Sequence, residues 1–328
     1  MKIRGSTIAL TTALAWLAAP AAFAQPAQTD SSAHPTTAES VIVTAPRLTP
    51  EEAIRNYVQS YAVSSPAVRK IARWRDRICP VTVGLPEDKN QFVTKRVKEI
   101  AALVGAPVQT DSSCRTNIDI VFTFNPQVLL DGIRTKHPTM LGYHDRSQEV
   151  ALATVAHPVQ AWYTTETADD SGRRTVDDKQ SHGGVEMTFT PPGAGGAPIP
   201  VFLSEARDTQ VTGFHTGNGL RSELYHVIIV ADLESVGGSD IGAVADYIAM
   251  IALSQIPSYD ACQQVPSIVN LMTKDCDASR KPNAVTDIDL AYMRGLYKMT
   301  SRGGLAQQRD DIADQMNKGL AVSERHSK

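Results

Sequence analysis

The sequence predicts an α/β fold, in which helices pack on a mixed sheet, and three features of the chain favour this class. Residues 78–124 contain a strand-like run, an amphipathic helical run and a second strand-like run, which is the order of a βαβ crossover. Further apolar strand-like runs alternate with helical patterns in the rest of the chain. The four cysteines, an even number in a chain with an export signal, predict two disulfides.

The export signal is predicted to occupy residues 1–24. Lys2 and Arg4 precede an apolar run over 7–19, and the small residues of AAFA, ending at Ala24, provide a cleavage site. No cysteine directly follows that site, and no later segment reaches the ~18 apolar residues that a membrane-spanning helix needs. We therefore expect a soluble mature chain without a transmembrane segment, located in the periplasm or secreted.

Residues 25–48 are polar and have neither a helical nor a strand period, which predicts a flexible linker. Within the linker, Val41, Ile42, Val43 and Thr44 of ESVIVTAPR resemble the energy-coupling box of TonB-dependent outer-membrane receptors. This resemblance implies a TonB-like partner, whose sheet edge would accept the segment as an added strand. The alternative is that these residues form an edge strand of the domain itself.

A single domain is expected over residues 49–302, and it begins with a well-specified helix start. Thr49 is a favoured N-cap residue, Pro50 suits the first helical position, and Glu51 and Glu52 place negative charge in the first turn. The patterns that follow predict a second helix over 66–74, a strand in ICPVTVGL, a helix in NQFVTKRVKEIAALVG ending at Gly105, and a strand in TNIDIVFTF.

The second part of the domain is predicted to contain strands, a loop and further helices. Strands are expected in QEVALATV, VQAWYTTET and LYHVIIVADL, with a loop excursion over 168–198 before the last of them. A helix capped by Ser239 is predicted over 239–255, and a helix capped by Thr286 is predicted in TDIDLAYMRGLYKM. Residues 303–328 are expected to form a C-terminal polar helix, at 304–319, and a tail.

The cysteines are expected to pair as Cys79–Cys114 and Cys262–Cys276, because each pair flanks one compact unit of the chain. A disulfide that closes a loop of about 15 residues contributes ~3 kcal/mol in the chain-entropy treatment. The rival interpretation is a zinc site formed by all four cysteines. The sequence has no C-x-x-C spacing, which disfavours that interpretation.

The stretch GAVADYIAMIALSQIPSYDACQQVPSIVNLM, residues 242–272, resembles the active-site helix and the following turn of metzincins, a branch of the zincin metalloproteases. Those enzymes carry H-E-x-x-H-x-x-G-x-x-H on and after a helix that follows a strand, and then a turn with a methionine. Aligned with that pattern, the three ligand positions hold Ala245, Ala249 and Gln255, the catalytic acid position holds Asp246, and the methionine position holds Val269. TDIDLAYMRGLY is similar to the closing helix of matrixin-like enzymes, and the plan is also similar to that of a group of secreted bacterial domains of unknown function.

The resemblance implies a zincin-like fold that has lost its metal site. Alanine offers no lone pair to a metal and glutamine is a poor zinc ligand, so we expect no metal, no cofactor and no zinc-dependent peptidase activity. Asp246 is the one charge between residues 241 and 253, and a buried carboxylate needs a partner. It either makes a structural ion pair, with Arg73 and Arg75 as candidate partners, or keeps a catalytic or binding role.

Histidines supply the other candidate chemistry. His137, His144 and His157 lie close in sequence, with Asp145 nearby, and three imidazoles are a sufficient set for a metal site. Their spacing matches no known ligand motif. His215 lies in the glycine-rich stretch GFHTGNGLRS, where hydrogen bonding or solvent exposure is expected rather than catalysis.

The charge balance and the absence of common motifs restrict the function classes. A net charge of −3 lacks the basic surface of a nucleic-acid-binding protein. The sequence contains no nucleophile elbow, P-loop or dinucleotide-binding motif. We expect an exported, non-catalytic, zincin-like pseudoenzyme domain that binds a peptide or protein partner in the cell envelope, since the resemblance implies a cleft along an edge strand. The alternatives are a hydrolase using Asp246 or the three histidines, and a purely structural envelope protein.

Overall fold

A computed structural model of the chain describes residues 48–111, 114–142, 146–177, 185–189, 199–203, 219–256 and 260–326. The predicted export signal and the TonB-box-like residues 41–44 lie outside the described residues, and so do His144, Asp145 and His215. The predictions made for these parts of the chain therefore stay predictions.

Seven strands are present in the described residues: Pro80–Val83 (β1), Ile118–Thr123 (β2), Val159–Asp169 (β3), Arg174–Val176 (β4), Val185–Phe189 (β5), Ile199–Leu203 (β6) and Leu220–Asp232 (β7). Five of them form one sheet in the order β1-β2-β7-β3-β4, and β5 pairs only with β6. Strands β1, β2 and β7 are parallel, β3 is antiparallel to β7, and β4 is antiparallel to β3. The sheet is therefore mixed, which confirms the predicted fold class.

Eight α-helices accompany the strands in the same residues: Pro50–Tyr61 (α1), Glu87–Val104 (α2), Pro126–Lys136 (α3), Glu149–Leu152 (α4), Leu233–Val236 (α5), Ile241–Leu253 (α6), Asp287–Lys298 (α7) and Leu305–His326 (α8). Among the described helices, none has both the length and the apolar composition required to cross a membrane.

The central strands are buried on both faces, which explains why they are almost continuously apolar. All residues of β2 are buried. Ile120 and Ile229 belong to the larger core, which also includes residues of α2 and α6. Val121 and Ile228, on the other face, belong to a smaller core with Leu130 of α3. Helices therefore cover the sheet from two sides, as parallel strands require.

Local signals at three helix ends are confirmed. Thr49 and Glu52 form a capping box at α1, in which each side chain accepts a hydrogen bond from the backbone N–H of the other residue. Thr286 and Asp289 form the equivalent box at α7. Gly105 ends α2 with φ 82°, a left-handed conformation that glycine adopts without strain.

The N-cap of α6 is Asp240 rather than the predicted Ser239. The Asp240 Oδ1 accepts a hydrogen bond from Ala243 N at 3.0 Å. Either residue type can cap a helix, and the extended backbone of Asp240 decides between them.

The predicted helix at 66–74 is wrong. The segment forms a turn and isolated β-bridges, with Ser64 opposite Ile71 and Arg73 opposite Glu223. Leu224 N donates to Arg73 O at 3.0 Å, so the backbone of this segment extends alongside the start of β7. A long-range pairing outweighs the local helical preference here.

Two further predictions between residues 126 and 198 need correction, and one helix in this range was not predicted. QEVALATV is not a strand: its first residue, Gln148, ends the short 3₁₀ turn Arg146–Gln148, and α4 follows directly. The expected loop over 168–198 contains the end of β3 and also β4 and β5. Helix α3 was not predicted, although Pro126 suits its first turn and its buried residues Leu129, Leu130 and Ile133 have helical spacing.

Both predicted disulfides are confirmed. Cys79–Cys114 joins the residue before β1 to the segment before β2, with a Cα–Cα distance of 6.0 Å. Cys262–Cys276 closes the segment between α6 and α7, with a Cα–Cα distance of 5.3 Å. All four cysteines of the chain are thereby paired.

Candidate functional site

Helix α6 contains Ala245 and Ala249, two of the three residues that align with the zinc ligands of the zincin pattern, and it is buried along nearly its whole length. Each residue from 243 to 253 is buried. The helix follows β7 and the short helix α5, as the sequence predicted for a helix after a sheet strand. A helix buried on all sides is apolar on all sides, which accounts for its composition.

Asp246 is the one charged residue of this buried helix, and its two carboxylate oxygens receive three hydrogen bonds. Arg96 Nε donates to Oδ1 at 2.5 Å and Arg96 Nη2 donates to Oδ2 at 3.1 Å. Val285 N also donates to Oδ2, at 2.8 Å. The hydrogen bond to Asp246 raises the pKa of Arg96. The predicted partners Arg73 and Arg75 are wrong, because they donate to groups in α7 and after it.

These contacts support a structural role for Asp246. The aspartate joins α6 to α2, through Arg96, and to the backbone just before α7, through Val285. A carboxylate in this position is stabilised by its donors and has little capacity left for a ligand.

Two of the three positions that align with zinc ligands are closed to solvent. Ala245 and Ala249 are 0% exposed within the larger core. Gln255 follows the helix and lines a pocket of about 160 Å³, which neither alanine lines. The Oε1 atom of Gln255 is buried and has no hydrogen-bond partner in the part of the chain that the structure describes.

The pocket of Gln255 lies between the end of α6, strand β3 and the turn at Gly142. Tyr163 OH donates to Ile251 O at 2.8 Å, and this contact ties β3 to the last turn of α6. Gly142 has φ 87°, and a Cβ atom there would lie 2.3 Å from Tyr163 O. Only glycine therefore allows the turn to approach β3 this closely.

The structure describes two of the three histidines proposed as a metal site. Burial lowers the pKa of His137, which is half-buried after α3, and the adjacent Lys136 lowers it further. His157 Nδ1 lies 3.7 Å from Asp260 Oδ1. Among the described residues, no three His, Cys, Asp or Glu side chains are grouped so that they could hold a metal.

A buried cluster of charged residues lies where β3, β4 and β7 meet. Glu166 and Glu223 are direct partners on β3 and β7, with 5% and 1% exposure. Arg174 Nη1 donates to Glu166 Oε1 at 2.9 Å and to Asp76 Oδ2 at 2.7 Å, and Arg174 Nη2 lies 3.4 Å from Glu223 Oε2. Arg221 Nε donates to Glu223 Oε1 at 2.5 Å. Three carboxylates therefore share two guanidinium groups.

The surroundings of Glu166 raise the pKa of its carboxyl group. Burial raises its pKa to about 7, Arg174 opposes this change, and the nearby carboxylates of Glu223 and Asp76 add to it. The carboxyl group therefore changes its charge around neutral pH. Perturbed carboxyl groups of this kind occur at functional sites and also in structural ion-pair networks.

A second pair of buried ionisable side chains joins β2 to β7. His226 Nε2 lies 2.8 Å from Asp119 Oδ2, and each residue is 3% exposed. His226 Nδ1 and Asp119 Oδ1 are buried and have no hydrogen-bond partner in the described part of the chain. Both side chains lie on the face of the sheet that also carries Val121 and Ile228.

The sequence analysis did not identify Glu166, Glu223, Asp119 or His226 as candidate residues. A signal was present, because TNIDIVFTF and LYHVIIVADL each contain an ionisable residue among apolar ones. An ionisable residue inside a strand that is buried on both faces requires a partner. The sequence does not indicate which residue of a neighbouring strand that partner is.

No protein-family model matches this chain, and no curated protein or solved structure is significantly similar to it.

Proposed function

We propose that the chain is an exported, non-catalytic, zincin-like domain that binds an extended peptide or protein segment in the cell envelope. The pocket of Gln255 is the proposed binding site. The single observation that carries this proposal is the buried Gln255 Oε1, which lacks a hydrogen-bond partner in the described residues and lines a pocket beside a strand.

The order of the elements supports the comparison with zincins. Strand β1, helix α2 and strand β2 form a parallel crossover, β7 extends the parallel set, and α6 follows β7. The strand–helix–strand unit followed by a strand and a buried helix is the zincin order on which the resemblance was based. Alanines at positions 245 and 249 of this helix support the absence of zinc catalysis.

The pocket has features that suit a peptide backbone. Four residues of strand β3, Ala161, Trp162, Tyr163 and Thr165, contribute to the pocket wall. A buried amide oxygen is best satisfied by an N–H group, and peptide backbones supply N–H groups at regular intervals. Leu141, Leu152 and Trp162 add apolar surface for ligand side chains.

Export to the cell envelope is supported by the predicted signal at 1–24 and by the two disulfides, which persist in oxidising compartments. In this proposal the TonB-box-like residues 41–44 provide a second contact, in which the segment adds a strand to a TonB-like partner.

The alternative hydrolase function has less support from the described residues. Both oxygens of Asp246 accept hydrogen bonds from Arg96 or Val285, which leaves little capacity to activate an attacking water. The trio of His137, His144 and His157 stays a prediction.

Selection from a phage-displayed library of random eight-residue peptides against the mature chain tests the proposal. We expect enriched peptides to bind the unmodified chain, and Gln255→Leu to weaken their binding about tenfold, because one hydrogen bond to a buried group is lost. Gln59→Leu, at an exposed position of α1, is the matched control and should leave binding unchanged. Native mass spectrometry of the same preparation should find no stoichiometric zinc.

Two results would contradict the proposal. One is the failure to enrich any peptide above an immobilised reference protein. The other is equal binding of the enriched peptides to the unmodified chain and to Gln255→Leu. One zinc ion per chain, removed by a chelator together with a peptidase activity, would instead support a metalloenzyme.

A further inference from the structure

A pocket of about 190 Å³ lies at the amino-terminal ends of β1 and β2 and near the start of β7. Its walls include Arg77, Arg115, Asn117 and His226, and it shares no lining residue with the pocket of Gln255. Neither the zincin comparison nor the proposed peptide site involves these side chains.

His226 contributes a buried and unsatisfied ring nitrogen. Its Nε2 atom lies 2.8 Å from the carboxylate of Asp119. An ionised carboxylate only accepts hydrogen bonds, so Nε2 is the donor in this contact and Nδ1 is the ring nitrogen left for another partner. This Nδ1 is buried without a partner in the described part of the chain, although His226 lines the pocket. A hydroxyl group of a ligand would satisfy it, because a hydroxyl group both donates and accepts hydrogen bonds.

Two guanidinium groups give the pocket a preference for anions. Arg77 and Arg115 are exposed residues, and both line the pocket. The acidic residue of the wall, Asp76, forms an ion pair with Arg174, with an Nη1–Oδ2 distance of 2.7 Å, which reduces its repulsion of an anion. Guanidinium groups bind carboxylates and phosphates through paired hydrogen bonds, which fixes the orientation of the ligand.

A disulfide and an asparagine hold the two arginines near each other. The disulfide Cys79–Cys114 connects the chain two residues after Arg77 to the residue just before Arg115. Asn117 Nδ2 donates to Arg77 O at 3.2 Å, and its Oδ1 accepts from Cys79 N at 2.7 Å. The rim of the pocket is therefore arranged before any ligand binds, which reduces the entropic cost of binding.

We propose that this pocket binds a small oxyanion, a carboxylate or a phosphate, that also carries a hydroxyl group. The anionic oxygens contact Arg77 and Arg115, and the hydroxyl group forms a hydrogen bond with His226 Nδ1. Hydrogen phosphate and glycolate meet both requirements, whereas acetate lacks the hydroxyl group.

Histidine-detected ¹H–¹⁵N NMR of the ¹⁵N-labelled mature chain at neutral pH tests the proposal, with inorganic phosphate, glycolate and acetate as probes. We expect phosphate and glycolate to produce a saturable shift of the His226 Nδ1 signal. Acetate should bind about fivefold more weakly than glycolate, because it makes one hydrogen bond fewer. Arg115→Gln should weaken phosphate binding about tenfold, whereas Arg55→Gln, at an exposed position of α1, should leave it unchanged.

The proposal is overturned if neither phosphate nor glycolate shifts the His226 signal in a saturable way. Equal phosphate affinities of the unmodified chain and Arg115→Gln would also overturn it, because binding would then occur elsewhere. Gln255→Leu should not change the phosphate titration. A failure of the peptide proposal is therefore distinguishable from a failure of this one.

Discussion

Asp246 on α6 and Glu166 on β3 are both carboxyl groups buried in the protein, but their surroundings differ. Asp246 receives hydrogen bonds from Arg96 and from the backbone of Val285, so donors outnumber carboxylates. Glu166 shares Arg174 with Glu223 and Asp76, so carboxylates outnumber cations. The burial of the two groups is similar, and the balance of charges around them is opposite.

The comparison separates a structural carboxylate from a proton-holding one. Asp246, with its fixed donors, holds α2, α6 and the segment before α7 together. Burial raises the pKa of Glu166 and the carboxylates that share Arg174 with it raise the pKa further, so Glu166 keeps a proton near neutral pH. The resemblance of a helix to a catalytic helix is therefore a weaker guide to the role of its carboxyl group than the number of hydrogen-bond donors around that group.

The largest expected effect is the loss of stability when Arg96 is replaced. Arg96→Ala removes the cation from Asp246, which is 2% exposed, and should lower the free energy of unfolding by about 4 kcal/mol, measured by urea denaturation. Lys95→Ala, at the adjacent exposed position, is the control and should change it by less than about 0.5 kcal/mol. Replacing both partners, in Arg96→Ala with Asp246→Leu, should restore much of the loss. A loss below about 1 kcal/mol in Arg96→Ala would show that the ion pair does not support α6.

The next largest effect is the contribution of Glu166 to the pH dependence of the free energy of unfolding. A carboxyl group whose pKa is raised from 4.5 to about 7 on folding contributes stability that is fully present below pH 4.5 and is lost as pH rises to 7. The contribution corresponds to about 3 kcal/mol. Glu166→Gln should therefore remove this part of the pH dependence, and the variant should be more stable than the unmodified chain above pH 7.

Urea denaturation at intervals between pH 4.5 and pH 8 measures this difference. Glu234→Gln, at an exposed position of α5, should give the same pH profile as the unmodified chain. If the difference between the unmodified chain and Glu166→Gln does not change with pH, the charge balance inferred for this cluster is incorrect.

The smallest effect concerns the closed face of α6. Ala249→Leu adds three carbon atoms at a position with 0% exposure, and overpacking should lower the free energy of unfolding by about 2 kcal/mol. Ala102→Leu, at an exposed position of α2, should be nearly neutral. An unchanged free energy of unfolding in Ala249→Leu would mean that space remains beside α6. The surroundings of Ala249 would then not be closed, and they would no longer differ from the open pocket of Gln255.

The parts of the fold that could be predicted from sequence are those with local causes. The capping residues Thr49 and Thr286 act on backbone groups within three positions, so their patterns were sufficient to predict where α1 and α7 begin. The segment 66–74 has no such local determinant, because its backbone pairs with β7, more than a hundred residues later in the chain. The local pattern there predicted a helix, and the long-range pairing prevented it.

The candidate sites also combine features that have local causes in the sequence with contacts that only the fold creates. Burial of α6 followed from its composition, but the partner of Asp246 did not, because Arg96 is 150 positions away in sequence. The pockets of Gln255 and His226 combine residues from separate elements, and no spacing in the sequence indicates such combinations.

The sequence by itself determined the α/β class, the two disulfide pairs, the helix starts at α1 and α7 and the buried character of α6. These features follow from residue type, hydrophobic period and cysteine count, which are properties of short stretches. Only the tertiary structure decided that Asp119 meets His226 and that Glu166 faces Glu223, because such contacts depend on strand order and register. Register is set by the packing of whole elements against each other, and the irregularity in the β3–β7 pairing between Thr164 and Thr165 shifts it further.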